Sequence, residues 1–290
     1  MKCIRLILTA VVAMTATVAF AQKPVYNWFR ISHAGSWSNE HIDHYQGVES
    51  VVVKNYDAVD SYGEVTKVGL PYVASFEFDE RGKLVKNRTT LNGKDSDVIV
   101  YEYDKEGRLT SAGWYTPNGA LDFKHVYKYD SEGRKVEYSQ YDKSGERWQK
   151  YIYRYDSVGN QIEVDDFGAG TELEGKTVKT YDSAGRLVAS SFCYVNDWYK
   201  VRYVYKYNAA GKLEEQISYE GDDELTKRVV YEYDELGNVT TVYCYDGDGS
   251  IQEKYVYRYD SRGNQVECVA YRTPALILFK YVEIAIVYKD

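Results

Sequence analysis

Tyr101-Glu102-Tyr103-Asp104-Lys105-Glu106-Gly107-Arg108-Leu109 decides how this chain folds. Aromatic and charged residues alternate up to the aspartate, which is the period of a half-buried strand. Asp-x-x-Gly then supplies turn chemistry. The carboxylate can accept backbone N–H groups, and the glycine can take the left-handed conformation that closes a hairpin. A second strand follows, as in Lys135-Val-Glu-Tyr-Ser-Gln-Tyr141, and ends in another turn such as Asp142-Lys-Ser-Gly145.

The same unit returns along the chain. Its turn residue stands at Asp79, Asp104, Asp130, Asp156, Asp182, Asn208, Asp234 and Asp260, one step of 25 and then six of 26. A period held that tightly marks a repeat architecture. Eight units make about sixteen short antiparallel strands. Val51–Tyr56 and Val65–Phe78 read as an earlier, degenerate half-unit with a longer loop and Pro71. Leu276–Tyr288 reads as a strand without the Tyr-x-Tyr-Asp signature, so the terminal units are expected to cap the array. The fold class is all-β: tandem 26-residue hairpins in a long antiparallel meander that twists or curls into an open roll or barrel-like shell.

Tyr-x-Tyr-Asp-x-x-Gly-Arg-Leu, intact at Tyr101–Leu109 and echoed at Tyr181–Leu187, resembles the YD repeat of the bacterial RHS family. The resemblance spans about Phe76 to Gly263. It implies a strip of hairpins of the kind that winds into a shell in large members, and it implies secretion. The unit is longer than the usual YD unit, and no cleavage segment or toxin domain is recognisable, so no toxin function follows.

Composition narrows the classes. The 290 residues carry 36 Lys+Arg against 44 Asp+Glu, a net charge of −8, which argues against a nucleic-acid binder. Aromatic content of 16% with 32 Tyr argues against disorder. Lys2 and Arg5 precede an apolar run from Leu6 to Phe20, and Ala19-Phe20-Ala21 offers a cleavage site. We read 1–21 as a secretory signal peptide, 22–75 as an N-terminal cap with the half-repeat, 76–275 as the hairpin repeats and 276–290 as a capping strand. Export to the periplasm or cell exterior follows.

Sixteen to eighteen strands would span roughly 80 Å laid flat, or about 25 Å across if rolled shut, before tilt. One column holds Tyr103, Tyr129, Tyr155, Tyr181, Tyr207, Tyr233 and Tyr259. A second holds Tyr101, Tyr127, Tyr153, Tyr205, Tyr231 and Tyr257, interrupted by Lys179. Val100, Val126, Ile152, Val178, Val204, Val230 and Val256 alternate with them, beside Lys128, Arg154, Lys206 and Arg258. Glu137, Glu163, Glu215 and Glu267 recur in the second strand, positioned for cross-strand ion pairs. Three- and four-residue loops set opposite registers, so the pattern leaves open which face is buried. Charge beside the Val column disfavours a lipid-facing barrel, and no integral membrane insertion is expected.

Candidate sites are few. Exposed aromatics can stack on sugar rings and favour protein interfaces. The candidates are Trp114, Trp148 and Trp198, which break the period, and Tyr151, Tyr153, Tyr203, Tyr205, Tyr255 and Tyr257. The alternative is that the tyrosines pack the inside of the curl. His33, Glu40, His41, Asp43 and His44 form the one cluster of ligand-type residues, read as part of a polar cap. Asp246-Gly-Asp248-Gly-Ser250 with Glu253 has part of a calcium-loop ligand set but falls where Asp142–Gly145 makes a turn. Asp165-Asp166 departs most from the repeat and is the one candidate acidic site. Cys193, Cys244 and Cys268 remain after export. Cys244 and Cys268 sit in equivalent strands about 9–10 Å apart, too far for a disulfide. No nucleophile elbow, phosphate loop or dinucleotide fingerprint occurs. The sequence therefore predicts a non-enzymatic envelope scaffold contacting glycan or protein, with no cofactor. A shell component related to RHS systems, or an enzyme with an acidic or His-based site, are the alternatives.

Overall fold

The computed structural model describes residues 47–289 apart from 197, 198, 222 and 274. The apolar run from Leu6 to Phe20, His33, Glu40, His41, Asp43, His44 and Trp198 lie outside the described residues. The strands are β1 (Val48–Ser61), β2 (Glu64–Phe78), β3 (Leu84–Leu91), β4 (Lys94–Tyr103), β5 (Leu109–Tyr115) and β6 (Leu121–Tyr129). Next come β7 (Lys135–Asp142), β8 (Arg147–Tyr155), β9 (Gln161–Asp166), β10 (Gly175–Tyr181), β11 (Leu187–Tyr194) and β12 (Lys200–Tyr207). The last six are β13 (Leu213–Glu220), β14 (Glu224–Tyr233), β15 (Val239–Asp246), β16 (Ile251–Tyr259), β17 (Gln265–Arg272) and β18 (Ile277–Tyr288).

Every strand pairs antiparallel with its neighbours in sequence, and β1 pairs with β18, so the 18-stranded sheet closes into a barrel. The terminal strands meet each other rather than capping an open array: Val51 lies opposite Ile286 and Val53 opposite Ile284. Closure removes both edges of the sheet. Following the Cα partners once round the ring returns to β1 displaced by about 18 residues. A round barrel of that stagger has strands tilted about 37° and a backbone diameter of about 32 Å. This is wider than the flat-strip value because tilt spreads each strand around the circumference.

The turns settle which face is buried. In each even-to-odd turn the aspartate or asparagine N–H donates to the carbonyl four residues on, and the glycine N–H donates back to the turn residue's carbonyl. The glycines hold positive φ, as at Gly185 (74°) and Gly211 (76°), and the register shifts by one beside each turn. That is a three-residue loop with a bulge. Asp182 shows the anchoring. Its Oδ1 accepts the N–H of Ala184 and Arg186 at 2.9 Å each, and Arg186 Nε donates to Oδ2 at 2.7 Å. The backbone bond from Arg186 is foremost in holding this carboxyl below its usual range.

With that register the Tyr columns face inward and the Val column outward. Tyr101, Tyr127, Tyr205 and Tyr257 are buried, whereas Lys128, Arg154, Lys206 and Arg258 are exposed. The expected cross-strand pairs close on the outside: Lys128–Glu137, Lys206–Glu215 and Arg258–Glu267 each at 2.8 Å, with Arg154–Glu163 also paired. Each contributes little at such exposure.

The column nearest the Asp turns joins the units. Tyr103, Tyr129, Tyr155, Tyr181, Tyr207, Tyr233 and Tyr259 each donate a hydroxyl to a backbone carbonyl 19 or 20 residues earlier, at 2.6–2.9 Å. The acceptor is the first residue of the preceding unit's second strand, as with Tyr207 and Leu187. Arg186 also lies over the Tyr207 ring at 4.9 Å, and Arg134 over Tyr155 at 5.1 Å. The signature is therefore one device: aspartate closes the turn, arginine braces it, and the next tyrosine fastens it to its neighbour.

The first hairpin departs from expectation. β1 and β2 turn over Tyr62 and Gly63 alone, with φ of 59° and 89°, not through a long loop. Gly69, Leu70 and Pro71 bulge between the Asp57–Val68 and Asn55–Tyr72 pairs, and β2 meets β3 only from Val73. Proline's missing N–H therefore costs no ladder bond there.

Candidate functional site

The inner wall is uneven. From β14 round through β1 to β6 it is a continuous apolar and tyrosine cluster that includes Phe76, Val51, Ile99, Val242, Tyr257 and Ile284. A smaller cluster covers Leu187, Phe192, Val201, Tyr203 and Tyr205 on β11 and β12. Between them, on β7 to β11, buried polar residues gather: Gln140, Gln149, Gln161, Asp166, Lys179 and Ser190. Departures from the repeat consensus concentrate in this sector.

Lys179 takes the place of a column tyrosine and is 5% exposed, with Nζ donating to Gln161 Oε1. Its Cα partner Ser190 is fully buried, with an Oγ that has no hydrogen-bond partner. Lys135 occupies the position that Leu109, Leu187 and Leu213 hold elsewhere. Its ammonium lies 4.6 Å from the Tyr153 ring centre and 5.9 Å from that of Tyr127. Two inward lysines thus flank Tyr153 and Gln161 on neighbouring hairpins. Further along the wall, Asp166 accepts Gln149 Nε2–H and the Gly168 N–H, the latter at 3.1 Å. Burial raises its carboxyl to about 6. Gly175 opposite leaves room where a Cβ would stand 2.8 Å from the Phe192 ring. Aromatic contacts line the side toward β5: Trp114 stacks on Phe123 at 4.6 Å and lies 4.1 Å from His125. The His125 ring shares a 2.9 Å bond with the Tyr138 hydroxyl, and burial pushes it down to about 3.

The sequence candidates are sorted by face. Tyr151, Tyr203, Tyr205, Tyr255 and Tyr257 are buried on the inner wall, and Tyr153 is half-buried there, so they form no exposed aromatic row. Trp114 faces inward while Trp148 stands exposed outside, so the two share no surface. Asp165 and Asp166 are consecutive in β9 and point to opposite faces. Asp165 pairs outside with Arg154 at 2.7 Å and Lys176 at 3.5 Å. Strand alternation thus rules out their joint action on one bond. The Asp246–Ser250 segment is a hairpin turn, with Asp248 Oδ1 accepting the Ser250 N–H at 2.8 Å. Among the described residues no group of three or more His, Cys, Asp or Glu converges as a metal site. Cys193, Cys244 and Cys268 are free thiols, and β16 separates the last two. Lys135 escaped the sequence reading because its column mixes Leu, Gln and Val. A column-by-column alignment would have marked it.

No protein-family model matches the chain, and no curated protein does. Among solved structures it is similar to a porin-like protein from Bacteroides uniformis, at 11% identity and a TM-score of 0.43, over 82% of this chain and 97% of that one. It is also similar to a chain of TcdB2-TccC3-Cdc42, at 14% identity and a TM-score of 0.31, over 82% of this chain and 17% of that one. A DUF1329 family protein from Desulfovibrio piger follows at 9% identity and a TM-score of 0.25, covering 83% and 86%. These likenesses assign neither family nor activity.

Proposed function

We propose that the protein is a non-enzymatic binding barrel of the cell envelope. In this reading its inner wall between β7 and β11 holds an acidic saccharide. The carrying observation is that inward lysines replace the repeat's own apolar or tyrosine residue at two places in this one sector, Lys135 and Lys179. Buried charge costs stability, and the column consensus would avoid that cost, so a ligand role accounts for its retention. Tyrosine and Gln side chains beside the lysines suit a sugar: rings stack on C–H faces and amides bond hydroxyls. The charged outer face supports an aqueous setting, because a lipid-facing wall penalises Lys and Arg. The leader-like N-terminus supports export. The hairpin unit, fastened by its Tyr-Asp signature, is proposed as kin to the YD repeat.

Repeat-restoring substitutions test this. Lys135→Leu and Lys179→Tyr return each column to its consensus. The reading expects the wild-type chain to bind an acidic polysaccharide over its neutral counterpart on a glycan panel. Each variant is expected to weaken that binding about tenfold, or about 1.4 kcal/mol, with melting temperature unchanged or higher. Equal binding by the double variant would refute the site. Failure of the wild type to bind any acidic saccharide would refute the ligand class.

A further inference from the structure

At the rim opposite the Asp turns lies a cavity of about 370 Å³ on β14 to β17, lined by Lys227, Asp246, Glu253 and Arg272 over the buried Cys244. That volume lies in the small-molecule range. Register places Lys227 directly opposite Asp246, and Glu253 directly opposite Arg272. Other opposed acid–base pairs in this barrel close. Lys206–Glu215 and Arg258–Glu267, also Cα partners, meet at 2.8 Å. At the rim they do not. Among the described residues Lys227, Asp246 and Arg272 make no N–O approach within 4.0 Å of any opposite charge, and the cavity lies among them. Arg272 instead lies over the Phe279 ring at 5.0 Å, which orients its guanidinium, and Glu253 accepts the Tyr255 hydroxyl.

We propose that this cavity binds a small zwitterion of the amino-acid or short-peptide class. The arrangement offers two cations and two anions at opposed positions on one wall. A ligand carboxylate would engage Arg272 in a forked contact, with Lys227 on the far side of the cavity adding positive charge. A ligand ammonium would engage Asp246 and Glu253. A simple anion would use only the cations and leave the two carboxylates facing it, so a ligand carrying both charges fits better. The site lies on other strands than the β7–β11 sector and stands or falls separately from the saccharide proposal.

Isothermal titration at low ionic strength with dialanine as probe tests it, beside N-acetyl-dialanine and dialanine amide. The expected result is saturable one-to-one binding of dialanine, weakened about tenfold by capping either end. Arg272→Gln and Asp246→Asn should each weaken it about tenfold. Arg258→Gln, which breaks an outer ion pair, should leave it unchanged. Both rim residues are exposed, so thermal melts of these variants should match the wild type. Absence of saturable heat at millimolar dialanine would overturn the proposal. So would equal binding of the acetylated peptide, which would mark carboxylate recognition alone, or unchanged binding in both rim variants.

Discussion

Removing one hydroxyl from the tyrosine ring of ties tests how the barrel is fastened. Tyr207→Phe deletes the 2.8 Å bond to the Leu187 carbonyl and keeps the ring beneath Arg186. The β11–β12 ladder stops at the Ala189–Val204 pair, so this carbonyl lies beyond it and relies on the tie. The site is half-buried, so water replaces the donor in part. The cost is then that of an ordinary bond, about 1 kcal/mol. For a domain of this size that lowers Tm by roughly 2–4 °C. Tyr155, Tyr207 and Tyr259 lie in separate, non-adjacent units, so the triple Phe variant should add to about 3 kcal/mol. Urea unfolding monitored by tyrosine fluorescence and by circular dichroism, with coincident transitions required, gives the values. Tyr243→Phe, on the outer face, is the control and should change stability by less than about 0.3 kcal/mol. A triple variant within about 0.5 kcal/mol of wild type would refute the role assigned to the ties.

Three other perturbations follow from the inner wall. Asp166 titrates near 6 in the folded chain, above its unfolded value, so its charge erodes stability as pH rises from about 4 to 6. Asp166→Asn should therefore add about 2 kcal/mol at pH 8 and almost nothing at pH 3; an equal effect at both would contradict the assignment. His125 is held neutral, down to about 3, so stability should fall as pH drops from 6.5. His125→Phe should flatten that acid limb at the expense of the Tyr138 bond, read by melts across pH. Gly175→Val would drive a side chain into the Phe192 ring and should cost about 1–3 kcal/mol, measured by chemical denaturation.

Much of the architecture is legible in the sequence because it is local. The Asp-x-x-Gly turn and its flanking alternation occupy nine residues, and their 26-residue return fixes the meander. Closure is not local. β1 and β18 carry no Tyr-x-Tyr-Asp-x-x-Gly signature, and their match of Val51 to Ile286 across the ring depends on accumulated stagger. The buried face depended on the bulge beside each turn, which shifts register by one and cannot be read from alternation alone. Within the candidate site, Lys179 was visible as a break in a clean tyrosine column. Lys135 was not, because its column is already mixed. The paired aspartates were misleading as a unit. Once Gln161–Asp166 is a strand, neighbours must face apart. The rim cavity needs four strands in register and has no counterpart in any contiguous motif.

Closure of the barrel is tested most directly at the β1–β18 seam. Val52 and Ala285 are Cα partners on the outer face, at the separation a disulfide spans. In a Val52→Cys, Ala285→Cys variant oxidised at high dilution, peptide mapping by mass spectrometry should recover the 52–285 cross-link within one chain in near-quantitative yield. The expected product is a monomer that melts higher than its reduced form. Free thiols at both positions, or cross-links only between chains, would show an open sheet and contradict the closed barrel.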